Sequence, residues 1–188
     1  MPLPDPVGRR PTHSRRIHCQ SYLRDDGLWD IEGHITDVRP YKFDCAWYGE
    51  CEADSPMHEM WVRLTLDDRF VVQDAVAAID HSPYAICPQA AASVARLKGL
   101  QVKPGWAKQV RERIGGTGCC THIVDMLGPM ATVSWQTINI YRTHECHRDG
   151  RDDSRYLKRI MPPVGGCYAL ATDRAVVKEL WPDRYTGD

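Results

Sequence analysis

The chain has 188 residues, a length typical of one domain, and such a domain hides roughly 70% of its unfolded surface without needing crosslinks. Its formal net charge is −1, with 24 Lys and Arg against 25 Asp and Glu, so its overall field favours neither nucleic acid nor an anionic membrane. No apolar run approaches the roughly 20 residues of a membrane helix, and no secretory apolar core follows the first residues. We therefore expect a cytoplasmic protein whose cysteines are reduced thiols.

The N-terminal part of the chain changes pattern at Leu28. Residues 1–18 are rich in Pro, Arg and His without periodicity, which predicts an irregular N-terminal arm. From Leu28 to Thr36 apolar and polar residues alternate, as in a half-buried strand, with Trp29 and Ile35 on the apolar face and Thr36 on the polar face. The polar face of this strand carries Asp30 and Glu32, which are general-base candidates because burial or a neighbouring carboxylate raises the pKa of a carboxyl group. A plain solvated strand face is the alternative for these two residues.

A second alternating segment predicts a β-hairpin. Met57–Leu66 alternates with His58 on its apolar face, and Asp67–Arg69 is typical of a tight turn into a strand over residues 70–79. His58 is either a buried structural histidine with one hydrogen bond or a residue that points into an active site. With the preceding strand, the hairpin gives an antiparallel sheet of three or more strands.

The remainder of the chain has helical signals. A small-residue segment follows Cys87-Pro88, a second segment starts near Pro104, and a long apolar-periodic helix covers residues 121–142. Residues 167–180 predict a final strand and a short helix. The pattern therefore predicts an α+β fold, an antiparallel sheet followed by helices packed on one face, with residues 19–188 as a single α+β domain.

Gly118–His122 is the densest chemical motif, because it places two thiols and an imidazole at the start of the long helix. A thiol at a helix N-terminus is biased toward the thiolate, which is a nucleophile or a metal ligand. If the helices cover the sheet, the starts of the strand and helix segments converge at one edge. The predicted metal ligands at that edge are His58, Cys87, Cys120 and His122. Zinc, iron or no metal at all are the alternatives, since a free cysteine is often a small buried hydrophobe.

The same reasoning gives candidate catalytic and substrate-binding residues. Imidazole and carboxylate groups are the usual acid–base catalysts, and arginine and amphipathic aromatic side chains hold anionic or aromatic substrate groups. The catalytic candidates are His58, His122, Asp30 and Glu32. The substrate-binding candidates are Arg24, Trp29, Arg63 and Tyr84.

Several motifs taken together resemble the bacterial domain-of-unknown-function family 2889, over roughly residues 15–180. These motifs are Arg24–Gly33, Pro56–Met60, Arg63–Thr65, Pro83-Tyr84 with Cys87, and Gly118–His122. The doubled Cys119-Cys120 and the longer Cys45–Asp54 segment depart from the pattern of the family. The resemblance implies a bacterial protein linked to the catabolism of aromatic or lignin-derived compounds. A lyase that removes formaldehyde from a hydroxymethyl-bearing aromatic compound fits that setting.

The leading functional hypothesis is accordingly a small-molecule enzyme, a lyase with an aromatic substrate and with no nucleic acid or membrane partner; a homo-oligomer is left open. One alternative is a metal or iron–sulfur cluster carrier, since iron–sulfur cluster scaffold proteins also place a sheet before helices and join three ligand-bearing segments at one end. In that analogy the ligands are His58, Cys87, and Cys120 or His122. The other alternative is a non-catalytic module that binds aromatic ligands.

Overall fold

A computed structural model describes residues 3–45, 47–152 and 164–187 of the chain. Two compact units are present, Met1–Trp135 and Gln136–Asp188. None of the helices in the described ranges is both long and apolar enough to cross a membrane. Every residue discussed below as part of a candidate site belongs to the first unit.

The first unit is built on a four-stranded antiparallel sheet. In their order across the sheet, its strands are β1 (Ser14–Leu23), β2 (Trp29–Val38), β5 (Pro56–Leu66) and β6 (Val72–His81). Two short strands, β3 (Phe43–Cys45) and β4 (Gly49–Cys51), pair with each other in a separate hairpin between β2 and β5. The predicted pairing of the strands at residues 57–66 and 70–79 is confirmed by the β5–β6 pair.

Local turn chemistry explains why these strands reverse where they do. Between β1 and β2 the N–H of Gly27 donates to the carbonyl of Arg24, and Gly27 has a φ of 81°, a left-handed conformation that favours glycine. Between β5 and β6 the carboxylate of Asp67 accepts the backbone N–H groups of Arg69 and Val71. The side chain of Asp67 thus satisfies the turn that the sequence predicted there.

Helices follow the sheet along the chain. A 3₁₀ helix spans Cys87–Leu97, α1 spans Trp106–Ile114, α2 spans Thr121–Arg148 with Pro129 inside it, and α3 spans Ala175–Leu180. In β2, a Cβ atom added at Gly33 would lie 2.8 Å from Sδ of Met130 on α2. Glycine at this position therefore allows the long helix to approach the centre of the sheet closely.

The predicted α+β fold, with an antiparallel sheet followed by helices, is confirmed. Two local predictions are wrong. Strand β1 begins at Ser14, so residues 14–18 are not part of an irregular arm. The C-terminal strand predicted within residues 167–180 is replaced by a 3₁₀ turn at Tyr168–Leu170 and by α3. The single domain over residues 19–188 stays a prediction, and its stretch 153–163 lies outside the described residues.

Candidate functional site

Three polar residues lie side by side across the sheet and form the base of the candidate site. The register pairs Arg15 of β1 with Asp37 of β2, and Asp37 in turn with His58 of β5. Residues directly opposite each other in adjacent strands project from the same face of a sheet. A register shift between Asp37 and Val38 follows directly, and such irregularities often re-aim side chains next to active sites.

Asp37 is the buried anion of this row, with only 1% of its side chain exposed. Arg15 binds both of its oxygens, through Nε at 2.7 Å and through a terminal nitrogen at 2.8 Å, and Nε2 of His13 lies 3.3 Å from Oδ1. Burial by itself raises the pKa of Asp37, but the hydrogen bonds from Arg15 and His13 outweigh it and hold the pKa at about 2. Asp37 is therefore ionised at neutral pH.

Two histidines meet the other oxygen of this carboxylate. Nδ1 of His58 lies 3.1 Å from Oδ2 of Asp37, and Nε2 of His122, in the first turn of α2, lies 3.5 Å from the same atom. The two imidazole rings stack with centroids 3.8 Å apart. The fold thus brings together the two histidines that the sequence singled out, although they come from a strand and from a helix far apart in the chain.

Both histidines are held in the neutral form. Burial, followed by the charge of His122, lowers the pKa of His58, and burial together with the charge of Arg15 lowers the pKa of His122. An ionised carboxylate only accepts hydrogen bonds, so the proton of neutral His58 is on Nδ1 and is donated to Asp37. This tautomer leaves Nε2 of His58 with a free lone pair.

Cys120 extends the cluster from the N-terminus of α2. Its sulfur lies 3.6 Å from Nδ1 of His122 and 3.8 Å from Sδ of Met60. Burial raises the pKa of the Cys120 thiol, although the backbone N–H groups of Ile123 and His122 oppose this by pointing at the sulfur. The group is therefore a protonated thiol at neutral pH, with backbone donors in place to stabilise its thiolate.

These side chains line an open groove of about 530 Å³, a volume within the range of small-molecule sites. Five of the residues predicted from the sequence line it, namely His58, Tyr84, Cys87, Cys120 and His122. Apolar atoms are supplied by Met60, Pro83 and Ile86. The groove therefore combines acid–base groups with an apolar wall.

The cluster also has the spacing of a metal site. Among the described residues, Asp37, His58 and His122 are the group whose ligand atoms all lie within 4.8 Å of one another. The ring nitrogens of His58 and His122 lie 3.1 and 3.5 Å from Oδ2 of Asp37. Two ligand atoms of a tetrahedral zinc ion with bonds of about 2.0 Å are about 3.3 Å apart, which falls between these two distances. Asp37 replaces the predicted Cys87 and Cys120 in this group. The guanidinium of Arg15, bound to the same carboxylate, competes with a cation for it.

The other predicted site residues lie away from the groove. Asp30 accepts a hydrogen bond from Thr65 at 2.7 Å and is about 24 Å from Asp37 along β2, at about 3.4 Å per residue. Glu32 is on the same face as Asp30, opposite to that of Asp37, and lies 3.7 Å from Arg63.

Arg24 and Trp29 lie near the Asp30 end of the sheet. Arg24 binds Asp26, and the indole N–H of Trp29, which is buried, donates to Asp68 at 2.9 Å. Asp30, Glu32, Arg63, Arg24 and Trp29 therefore do not meet the two histidines.

Asp37 and Arg15 are the site residues that the sequence analysis missed. Asp37 continues the period-two pattern of β2 on its apolar face, two residues beyond Ile35. A carboxylate at an inward-facing position requires a cation or hydrogen-bond donors. That requirement was the available signal, but the alternation predicted for this strand ended at Thr36, one residue before Asp37.

Fold and site together define the class: an α+β protein with a thiol, two imidazoles and a buried carboxylate at the edge of an open groove. The chain belongs to the family described as "Protein of unknown function (DUF2889)", whose family model matches residues 13–136. This range includes every residue of the cluster described above. The comparisons with curated proteins and with solved structures gave no match, so the analogy to iron–sulfur cluster scaffold proteins stays an expectation.

Proposed function

We propose that this protein is a small-molecule enzyme, a lyase that breaks the carbon–carbon bond next to a hydroxymethyl group of an aromatic compound and releases formaldehyde. The observation that carries the proposal is that His58 and Cys120 line one groove, where burial lowers the pKa of the imidazole and raises the pKa of the thiol. Environments that push the pKa values of two neighbouring groups apart are characteristic of an acid–base pair.

In the first step His58 acts as the general base. Its Nε2 accepts the proton of the substrate hydroxyl group, the electrons of the O–H bond form the carbonyl of formaldehyde, and the electrons of the carbon–carbon bond pass to the neighbouring carbon. The imidazolium that results keeps its hydrogen bond to Asp37, 3.1 Å away, which stabilises the new positive charge. Arg15 holds that carboxylate in place.

In the second step Cys120 acts as the general acid. Its thiol gives a proton to the carbon that received the electron pair, and the N–H groups of Ile123 and His122 stabilise the thiolate. Transfer of the proton from His58 back to Cys120, through His122 or solvent, restores the starting state. The reaction consumes no proton and no electron overall, so these residues supply all of its acid–base chemistry.

Two features support an aromatic substrate: the apolar wall of the groove and the catabolism of aromatic compounds that the family resemblance implies. Tyr84 is half exposed, and it lines the groove together with Met60, Pro83 and Ile86. Such a surface matches a flat ring by dispersion contacts and edge or face packing. The rest of the lining, apart from the two histidines, consists of thiols, polar residues and small residues: Cys87, Gln89, Ala90, Ser93, Thr117, Gly118, Cys119, Cys120 and Thr121.

The test compares His58→Gln with His34→Gln in formaldehyde release from a panel of hydroxymethyl-bearing aromatic compounds. His34 is the matched control, because it lies in the same sheet but stacks on Trp61 and binds Glu59 on the opposite face. We expect His58→Gln to lose about 10²- to 10⁴-fold in kcat, the usual contribution of a general base, and His34→Gln to retain turnover. Equal turnover by the two variants contradicts the assignment of His58.

A metal carrier is the second candidate function, and the spacing of Asp37, His58 and His122 favours it. Elemental analysis of protein purified without chelator or affinity nickel, native against Asp37→Asn, tests it. A stoichiometric metal that is lost in the variant supports this function. The enzyme proposal instead predicts formaldehyde release that is unchanged by chelator.

A further inference from the structure

The hairpin formed by β3 and β4 carries a second thiol pair, separate from the groove cluster. Its register pairs Phe43 with Cys51 and Cys45 with Gly49, so Cys45 and Cys51 occupy diagonal positions on the same face. Both cysteines are free thiols and both are partly accessible to solvent.

Hydrogen-bond donors surround the sulfur of Cys45. The backbone N–H groups of Trp47 and Tyr48 donate to the sulfur of Cys45, the Cys51 thiol adds a further hydrogen bond, and together they lower the pKa of Cys45. Burial has the opposite effect on Cys19 and Cys120, whose pKa values are raised. Since the thiolate is the reactive form, Cys45 is more reactive than these two partly buried thiols.

We propose that Cys45 and Cys51 form a reversible disulfide, with hydrogen peroxide or an organic hydroperoxide as the oxidant. The Cys45 thiolate attacks the peroxide oxygen and becomes a sulfenic acid, with release of water or an alcohol. Cys51 then attacks the Cys45 sulfur, forms the S–S bond and releases water. Two thiols are oxidised by two electrons and one peroxide is reduced by two electrons, so the step balances.

Closing this disulfide requires the hairpin to tighten. Diagonal pairs in regular antiparallel strands have Cα atoms about 7–8 Å apart, whereas disulfides usually span no more than about 6.8 Å. Each strand here has three residues, which leaves few ladder hydrogen bonds to resist a change of twist. A disulfide that retains some strain is easily reduced again, as a reversible couple requires.

The hairpin contacts the wall of the groove, so a change in the hairpin on oxidation also changes the groove. In its thiol form Cys45 donates to the carbonyl of Pro83 at 3.8 Å, and the ring of Trp47 packs edge-on against Tyr84 with centroids 6.3 Å apart. Pro83 and Tyr84 both line the groove. Disulfide formation removes the hydrogen that Cys45 donates and changes the position of the wall.

The experiment treats the reduced protein with one equivalent of hydrogen peroxide, alkylates the remaining thiols, and maps the cysteines by mass spectrometry. Cleavage after Lys and Arg leaves both cysteines in one peptide, and further cleavage after Glu50, which lies between them, separates them unless they are bridged. We expect a bridged pair of fragments that dithiothreitol releases. Cys167, which is exposed, should remain open to alkylation and serves as the internal control.

Single variants establish the order of attack and keep the result independent of folding changes in the hairpin. Cys51→Ser should accumulate a dimedone-reactive sulfenic acid at position 45, because the resolving thiol is gone. Cys45→Ser should leave Cys51 reduced under the same conditions. The proposal is overturned if Cys45 is oxidised no faster than Cys167, or if the disulfide that forms joins other cysteines. Formaldehyde release by the reduced protein does not depend on either result, so the two proposals fail separately.

Discussion

His58 and His122 stack at 3.8 Å between ring centroids, and each turns a ring nitrogen toward the same oxygen of Asp37. One carboxylate that also binds Arg15 cannot fully compensate two imidazolium ions in contact. The pair therefore titrates as a unit, and its first proton is taken up only below the pH at which an isolated histidine is protonated. This relationship determines the pH behaviour of both stability and turnover.

The stability of the protein should fall as the pH drops below 6.5. His58 and His122 have folded-state pKa values below the ordinary 6.5, so the unfolded chain takes up protons first and is favoured. The stability that the two neutral histidines contribute is complete above pH 6.5, and it is lost as the pH falls toward their pKa values in the folded state. Urea unfolding at pH 7.5 and 5.5 measures it, and the double variant His58→Gln/His122→Gln should show a smaller loss than the native chain. An equal loss in both proteins would refute this assignment.

Removal of Arg15 should destabilise the fold more than removal of another arginine in the sheet. Arg15→Met leaves the buried Asp37 without its main partner, and we expect a loss of about 2 kcal/mol, reduced from the 3–5 kcal/mol of a fully buried pair because Arg15 is partly exposed. Arg63→Met is the control, since its contact with Glu32 is long and exposed, and should cost under about 1 kcal/mol. Chemical denaturation at pH 7.5 compares the two variants. Similar losses in the free energy of unfolding would show that the Arg15–Asp37 pair stabilises the fold no more than the Arg63–Glu32 contact does.

If the protein has the proposed activity, its kcat/KM should follow a bell-shaped pH profile. The acidic limb should lie below pH 6.5, where His58 becomes protonated, and the alkaline limb above pH 9.0, where the Cys120 thiol is lost. In Cys120→Ser the alkaline limb should disappear and the maximum rate should fall. A profile of Cys120→Ser that keeps the alkaline limb would mean that another group is the acid.

The close approach of β2 and α2 can be tested at Gly33. Gly33→Ala adds a Cβ atom 2.8 Å from Sδ of Met130, and we expect a loss of about 1–2 kcal/mol from overpacking. Met130→Ala opens space at the same place, so adding Gly33→Ala to that variant should cost nothing further. Gly8→Ala, where the added atom meets nothing within 4 Å, is the control. Additive effects of Gly33→Ala and Met130→Ala would contradict the contact.

Local sequence patterns correctly predicted part of this fold. Period-two alternation correctly placed Trp29 and Ile35 on the covered face of β2, and Asp67 correctly marked the turn into β6. Strand β1 was missed because its first residues are charged, and the reason for a charge there is visible only in its neighbour: Arg15 faces Asp37. A pattern within one segment carries no information about the segment that will pair with it.

Local periodicity and turn chemistry were enough to predict strand β2, the β5–β6 hairpin and the long helix α2, together with two histidines and a cysteine near the starts of their elements. Only the tertiary structure decided which carboxylate they meet. Asp37 is separated by 22 residues from Arg15 and by 21 from His58, and the register of β1, β2 and β5 places the three in one row. The physical reason is that strand register depends on pairing across the whole sheet, and a shift of one residue would turn Asp37 to the opposite face.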